Sequence, residues 1–205
     1  MIDLAGIVIL AGGESTRMGS PKALLKLANG ETLLEFHIRH AKNLNVPVMV
    51  ADNGKHFCQD NTVKIIDDYI KNDETGKGAG ALSAIASAIE NLTSQNGYLM
   101  VISCDCLIGA DLVFAKLVHQ IIDEDVVYLK SEKDYPLLGL YRVDLLPTLK
   151  DFLDKGNRSV MKFLSDRKVK AVALPNELVA LANFNTMDEF NLALKTWAKE
   201  LPKNV

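Results

Sequence analysis

The sequence predicts an α/β domain in which a mainly parallel, mixed sheet lies between two layers of helices. Short β-branched packets alternate with helix-spaced apolar patterns along all 205 residues, the arrangement that βαβ units require. One packet, Tyr98–Ile102, is nearly all apolar, as a central strand covered on both faces must be. The residues able to carry chemistry follow directly on the packets, where ligands of open α/β sheets sit.

Taken in order, Ile7-Val8-Ile9-Leu10 is the first strand and ends abruptly in Ala11-Gly12-Gly13. Thr32 with Glu35 three residues later marks a capping box, predicting a helix from Leu33 to Lys42. Val46–Val50 and Val63–Ile66 are the second and third strands. Leu82, Ile85, Ala86, Ile89 and Leu92 repeat at helical spacing before the Tyr98–Ile102 strand. A helix from Leu112 to Ile122 precedes the strand Val126–Leu129, and a turn near Lys133-Asp134 leads into Leu137–Tyr141. Helices from Leu145 to Leu153 and Val160 to Leu164, the strand Val169–Ala173 and a last helix complete the chain. That helix follows a second capping box, Thr186 with Glu189, and carries the only tryptophan, Trp197. Strand–helix alternation predicts parallel strands joined by right-handed crossovers. Internal repeats and linker-like stretches do not occur, so residues 1–205 are expected to form one domain.

Composition narrows the partners. With 48% hydrophobic and 24% charged residues the chain reads as a water-soluble globular protein. A net charge of -3 lacks the basic surplus by which nucleic-acid binders neutralise phosphates. Phosphate contacts must come from a few placed cations and backbone N–H groups, which points to a small phosphorylated ligand and away from nucleic acid. Three cysteines, Cys58, Cys104 and Cys106, form no disulfide framework, and the start of the chain has no basic leader. A reducing cytoplasm is the expected compartment, and no apolar run has the length to span a bilayer.

The richest loop runs from Leu10 to Lys22. Gly12 and Gly13 let backbone N–H groups approach an anion, while Arg17 and Lys22 add a forked and a point cation. It is no Walker A loop, because Met18 stands five residues after Gly13 and no Gly-Lys-Ser/Thr follows. A glycine-rich turn with surface cations is the alternative. Asp105, following the buried strand between Cys104 and Cys106, is placed to bind a hard ion such as Mg²⁺ or else to cap a turn. The flanking cysteines read as small buried thiols rather than zinc ligands. Asp67-Asp68 could accept hydrogen bonds from a base or ribose, or be ordinary solvated acids. Gly76-Lys77-Gly78-Ala79-Gly80-Ala81 fits a variant of the dinucleotide fingerprint, but no strand immediately precedes it. It reads as a loop closing beside the ligand. His37, His40, His56 and His119 suggest neither a ligand set nor a triad; His37 and His40, three apart on one helix, read as a surface feature.

Together these loops resemble the MobA-type molybdenum cofactor guanylyltransferases within the wider nucleotidyltransferase superfamily. The likeness comprises Leu10-Ala11-Gly12-Gly13, Arg17-Met18-Gly19, Lys22, Asp68, the Gly76 to Gly80 loop and Cys104-Asp105. It continues through Pro136–Arg142, Gly156-Asn157-Arg158-Ser159-Val160 and Asn183-Phe184-Asn185-Thr186. The resemblance implies a Rossmann-like, three-layer α/β/α fold like that of nucleotide-diphospho-sugar transferases. It implies transfer of GMP from GTP to the terminal phosphate of molybdopterin or its molybdenum complex, with release of pyrophosphate. It places Arg17, Lys22 and Asp105 in catalysis, with Mg²⁺ on Asp105. Leu10, Ala11, Gly12 and Gly13 would hold base and phosphates, Asp68 the guanine or ribose region, and Gly80 the adjoining loop. Asn183 and Asn185 would lie on the pterin-phosphate side. Transient contact with proteins that deliver or receive the cofactor, and no contact with membranes, is implied likewise.

Three departures from the family pattern stand out. Pro21 stands where Asp usually precedes the lysine, Cys106-Leu107 replaces Thr-Pro, and Lys77 replaces a proline. The Pro-Lys pair resembles the related cytidylyltransferases, whereas Leu-Ala-Gly-Gly resembles the guanylyl branch, so GTP is favoured and CTP is the alternative. A sugar-phosphate acceptor is a further one. Two other classes contrast with these: an oxidoreductase built on Gly76, Gly78 and Ala81, and a nucleotide-binding module without turnover.

Overall fold

The structure, a computed structural model, describes residues 2–13, 18–71 and 79–200. Arg17 and the Gly76-Lys77-Gly78 part of the fingerprint-like loop lie outside the described residues. In chain order the elements are β1 (Leu4–Leu10), α1 (Leu33–Lys42), β2 (Val48–Ala51), β3 (Lys64–Ile65), α2 (Ala81–Glu90), β4 (Tyr98–Ser103) and α3 (Ala110–Leu117). They continue with β5 (Val126–Lys130), β6 (Asp134–Arg142), α4 (Leu146–Asp154), α5 (Val160–Leu164), β7 (Val169–Ala173), α6 (Val179–Ala182) and α7 (Met187–Glu200).

One seven-stranded sheet has the order β3-β2-β1-β4-β6-β5-β7. β1 pairs in parallel with β2 and β4, β2 with β3, and β5 with β7. β6 runs antiparallel between β4 and β5, which gives the mixed, mainly parallel sheet that the sequence predicts. The reason is length. Only Ser131, Glu132 and Lys133 separate β5 from β6, too few for the crossover that a parallel connection needs.

Side-chain alternation divides the interior into two cores, one on each face of the sheet. From β1, Ile7 and Ile9 enter the core that holds Phe36 of α1, Val113 of α3 and Phe190 of α7. Val8 enters the other, with Leu82 of α2, Leu149 of α4 and Phe163 of α5. β4 repeats the division: Met100 and Ile102 face the first core, Leu99 and Val101 the second. Each fully buried side chain of this size contributes about 1.5–3 kcal/mol, so the central strands need to be apolar on both faces. That is why they were conspicuous in the sequence.

Elements differ from expectation mainly at their edges. β2 begins at Val48 rather than Val46, since Pro47 has no N–H to give a ladder; its carbonyl accepts from Ile7 N at 2.9 Å instead. β3 keeps only two exposed residues at the sheet margin. α3 stops at Leu117 and passes into a 3₁₀ turn, Val118–Gln120, leaving Ile122 85% exposed. The short α6 was not anticipated; four residues leave little periodicity to read. Among the described residues no helix is long and apolar enough to cross a membrane.

Candidate active site

The register that pairs Leu10 with both Ala51 and Ser103 brings the carboxyl ends of β1, β2 and β4 level. A cavity of about 400 Å³ opens there, floored by Leu10, Ala51 and Ser103. Of the residues singled out in the sequence, Leu10, Ala11, Gly12, Gly13, Lys22, Asp68, Gly80 and Asp105 all line it. They come from four loops spread over 95 positions of the chain, between Leu10 and Asp105. Asp67 is exposed and does not line the cavity.

On one side the glycine turn rides against the loop after β2. A Cβ at Gly12 would stand 2.8 Å from Cβ of Asn53 and 3.2 Å from its backbone N, so only glycine fits without a shift. Asn53 itself lines the cavity and holds a left-handed φ of 60°. Asp52 keeps it there: fully buried, its carboxylate accepts from Gly54 N at 3.1 Å and Phe57 N at 2.9 Å. Lys55 Nζ donates to the Gly12 carbonyl at 3.1 Å and ties the loop to the turn from outside. Neither Asp52 nor Asn53 was singled out in the sequence. An Asx-turn pattern, Asp-Asn-Gly directly after an apolar strand, was the available signal.

The opposite side is a hydrogen-bonded cluster. Pro21, at φ -58° and ψ 129°, leads into a 3₁₀ turn from Lys22 to Leu24; buried Met18, Ala23 and Leu25 pin this segment to the core. Lys22 Nζ then reaches Asp105 Oδ2 at 3.4 Å and Asn185 Oδ1 at 2.9 Å. Asn183 Nδ2 donates to the same Asp105 oxygen at 2.9 Å, and Asn185 Nδ2 to Asn183 Oδ1 at 2.7 Å. Asn183 and Asn185 do not line the cavity but bond to Asp105 and Lys22, which do. Extended backbone after α6 explains their pairing: Asn183 and Asn185 face one way while Phe184 turns into the core, its ring 5.1 Å from Phe190. Phe184 N donates to the Asp105 carbonyl at 2.9 Å, fixing this segment to the turn after β4.

Asp68 closes the third side. Burial, reinforced by the neighbouring Asp67 carboxylate, pushes its carboxyl up to about 6. Its loop is held from behind by Ser83 of α2, whose hydroxyl accepts from Ile70 N at 2.8 Å and whose carbonyl accepts from Tyr69 N at 3.2 Å. Gly80, at φ 82°, starts α2 so that Ala81 and Ala84 of its first turn face the cavity, which directs the positive end of the helix dipole inward.

Other motif residues lie elsewhere. Arg142 ion-pairs with Asp125 at 2.8 Å and Asp144 at 2.6 Å at the amino end of the sheet. Arg158 donates to the Leu153 and Asn157 carbonyls and closes α4. Cys104 and Cys106 are buried and their thiols pushed up by desolvation, so they are not thiolate ligands. Among the described residues no group of three His, Cys, Asp or Glu could hold a metal ion by itself. The histidine expectation needs correction for His37, which is fully buried rather than on the surface; the same helix face that carries Leu33, Phe36 and Ala41 inward takes it along. His40 is half-buried against Asp111 at 2.9 Å.

Known proteins are similar to this chain in sequence and in fold. A molybdenum cofactor guanylyltransferase of Pasteurella multocida is 26% identical over 185 residues, covering 88% of this chain and 94% of that protein. Another, of Shewanella halifaxensis, is 28% identical over 188 residues, covering 89% and 90%. Among solved structures, molybdopterin-guanine dinucleotide biosynthesis protein A of Archaeoglobus fulgidus shares the fold at a TM-score of 0.75 and 19% identity, over 95% of this chain and 99% of that one. The 4-diphosphocytidyl-2C-methyl-D-erythritol synthase of Anaerococcus prevotii does so at 0.64 and 12% identity, over 95% and 98%. The family model described as the MobA-like NTP transferase domain matches residues 7–170, and the chain belongs to that nucleotidyltransferase family.

Proposed function

We propose that this chain transfers GMP from GTP to the terminal phosphate of molybdopterin or its molybdenum complex, acting as a single domain. One observation carries the reading. The glycine turn and the Lys22–Asp105–Asn185 cluster face each other across a cavity at the carboxyl edge of the sheet. The guanylyltransferase names of the full-length relatives support the choice of substrates.

In the transfer an acceptor phosphate oxygen attacks the α-phosphorus, a P–O bond forms, and the bond to the β-phosphate oxygen breaks to release pyrophosphate. The attacking oxygen is already ionised at neutral pH, so no side chain needs to remove a proton. In-line placement and charge neutralisation do the work. Gly12 and Gly13 bring backbone N–H groups to the nucleotide, and Gly80 starts the helix whose dipole faces it. Lys22 supplies a cation to the phosphates, released for this from Asp105 and Asn185; Arg17 is expected to add a second. Asp68 accepts N–H or O–H donors from the guanine or ribose. Asn183 and Asn185 meet the acceptor phosphate.

The residues around Asp105 fit Mg²⁺. They offer a partly buried carboxylate and two amide side chains, hard oxygen donors, with the adjacent thiols held protonated. A single carboxylate completed by substrate phosphates and water is the usual way Mg²⁺ is bound. Bound at Asp105, the ion would supply positive charge to the leaving pyrophosphate.

The test is pyrophosphate release with GTP or CTP and either molybdopterin or a sugar phosphate as acceptor. Release with GTP and the pterin is expected. Preference for CTP would follow the Pro21-Lys22 pair to the cytidylyl branch, and turnover with the sugar phosphate alone would overturn the pterin assignment.

A further inference from the structure

We infer that His37 is a positioning residue for Asp105, acting through the Cys106 carbonyl; this rests on the reading of Asp105 as the metal-binding carboxylate. His37 Nε2 lies 3.0 Å from Cys106 O, 69 positions away along the chain. A carbonyl oxygen can only accept, so the ring proton sits on Nε2 and the bond is a donated one. The other nitrogen, Nδ1, is buried without a partner among the described residues. Burial lowers the ring to about 4, so it is neutral in the physiological range.

An apolar side chain would fill this space without any polar group to bury. The imidazole's Nε2 donates to the Cys106 carbonyl and also lies 3.9 Å from the Cys106 Sγ, and this polar contact with Cys106 is what distinguishes it from a leucine or phenylalanine. Its target is the peptide directly after Asp105. That turn is held on three sides: the Asp105 carbonyl accepts from Phe184 N, the Cys106 carbonyl from His37, and Leu107 N donates to the Leu181 carbonyl at 2.8 Å. Two of these holds come from the asparagine-bearing segment and its preceding helix. His37 is the hold that comes from α1. It sits mid-helix on α1, whose first turn is secured by the Thr32–Glu35 capping box and by the Arg39–Glu31 pair at 2.8 Å, so its donor comes from a rigid element. The turn Asp105-Cys106-Leu107 contains no proline ring to stiffen it, and the imidazole bond supplies restraint.

Two amide variants test this. His37→Gln extends an N–H to about the Nε2 position; His37→Asn ends near Nδ1 and cannot reach the carbonyl. Their half-saturating Mg²⁺ in pyrophosphate release, and their Mn²⁺ affinity by electron paramagnetic resonance with a non-hydrolysable GTP analogue, are compared with wild type. We expect His37→Asn to weaken both by about tenfold, in line with groups that orient metal ligands from behind. His37→Gln should stay within about threefold, and GTP affinity in EDTA should not move in either. If His37→Asn does not fold, His37→Phe, similar in volume and without a donor, replaces it. Wild-type metal dependence in the donor-less variant, or equal impairment of both amides, overturns the positioning role. Wild-type Mn²⁺ affinity in Asp105→Asn overturns the metal-site reading itself, and this inference with it.

Discussion

Replacing Asp68 with asparagine should stabilise the folded chain above pH 6 while weakening its hold on GTP. The carboxyl is raised from 3.8 to about 6, first by burial and second by the Asp67 charge. A group raised on folding contributes stability that is fully present below its unfolded value and is lost as pH rises through the folded one. For Asp68 that window runs from 3.8 to about 6; above it the ionised carboxylate is a liability to the fold. A rise of about two pH units corresponds to about 3 kcal/mol if the group were wholly withdrawn from water. Asp68 is only half-buried, and solvent screening reduces this to about 1 kcal/mol. Urea unfolding of wild type and Asp68→Asn at pH 4, 5, 6 and 7.5 measures it. The variant should be more stable by about 1 kcal/mol at pH 7.5, with the gain vanishing toward pH 4. GTP binding by calorimetry should change in the opposite sense. Wild-type affinity falls as pH drops through about 6 and the acceptor oxygens take a proton, whereas Asp68→Asn binds weakly throughout. A stability difference independent of pH would refute the assignment of this titration to Asp68, and unaltered GTP affinity would remove the residue from the nucleotide site.

Other perturbations separate shape from chemistry. Asp105→Asn should lower turnover by about 100-fold or more, yet change stability by about 1 kcal/mol at most, since the Lys22 pair it breaks is partly exposed; steady-state kinetics alongside thermal unfolding checks both. Gly12→Ala places a Cβ 2.8 Å from that of Asn53, and should cost about 1–3 kcal/mol through overpacking while raising KM for GTP. Asp52→Ala leaves the N–H groups of Gly54 and Phe57 without their acceptor; a loss of about 2 kcal/mol in urea unfolding is expected, again with a higher KM because Asn53 is no longer held.

Much of the site could be read before folding because its parts sit at ends of recognisable strands. Ile7–Leu10 and Tyr98–Ile102 announce themselves by composition, and the glycines, Lys22 and Asp105 follow them within a few residues. Asn183 and Asn185 are legible only through family resemblance; their own neighbourhood carries no periodic signal, and α6 is too short to display one. Asp52 and Asn53 are not legible as site residues, because a loop aspartate followed by asparagine reads as an ordinary turn. What sets this turn apart is burial of the carboxylate against two backbone donors. The spacing of His37 to His40 suggests a surface position for both. A helical wheel allows that reading, but α1 turns His37 toward the β4–α3 connection.

The chain by itself determined the alternation of strands and helices, both capping boxes and which loops bear cations, glycines and carboxylates. Those are local properties, set by side-chain periodicity and backbone preference within a few residues. Tertiary structure alone decided that β6 enters antiparallel between β4 and β5. It also decided that Asn185 meets Lys22 across 163 positions and that Asp105 is held by segments distant in sequence. Such contacts depend on which faces pack together across the whole sheet, and two residues that meet only on packing leave no mark on the spacing of either segment.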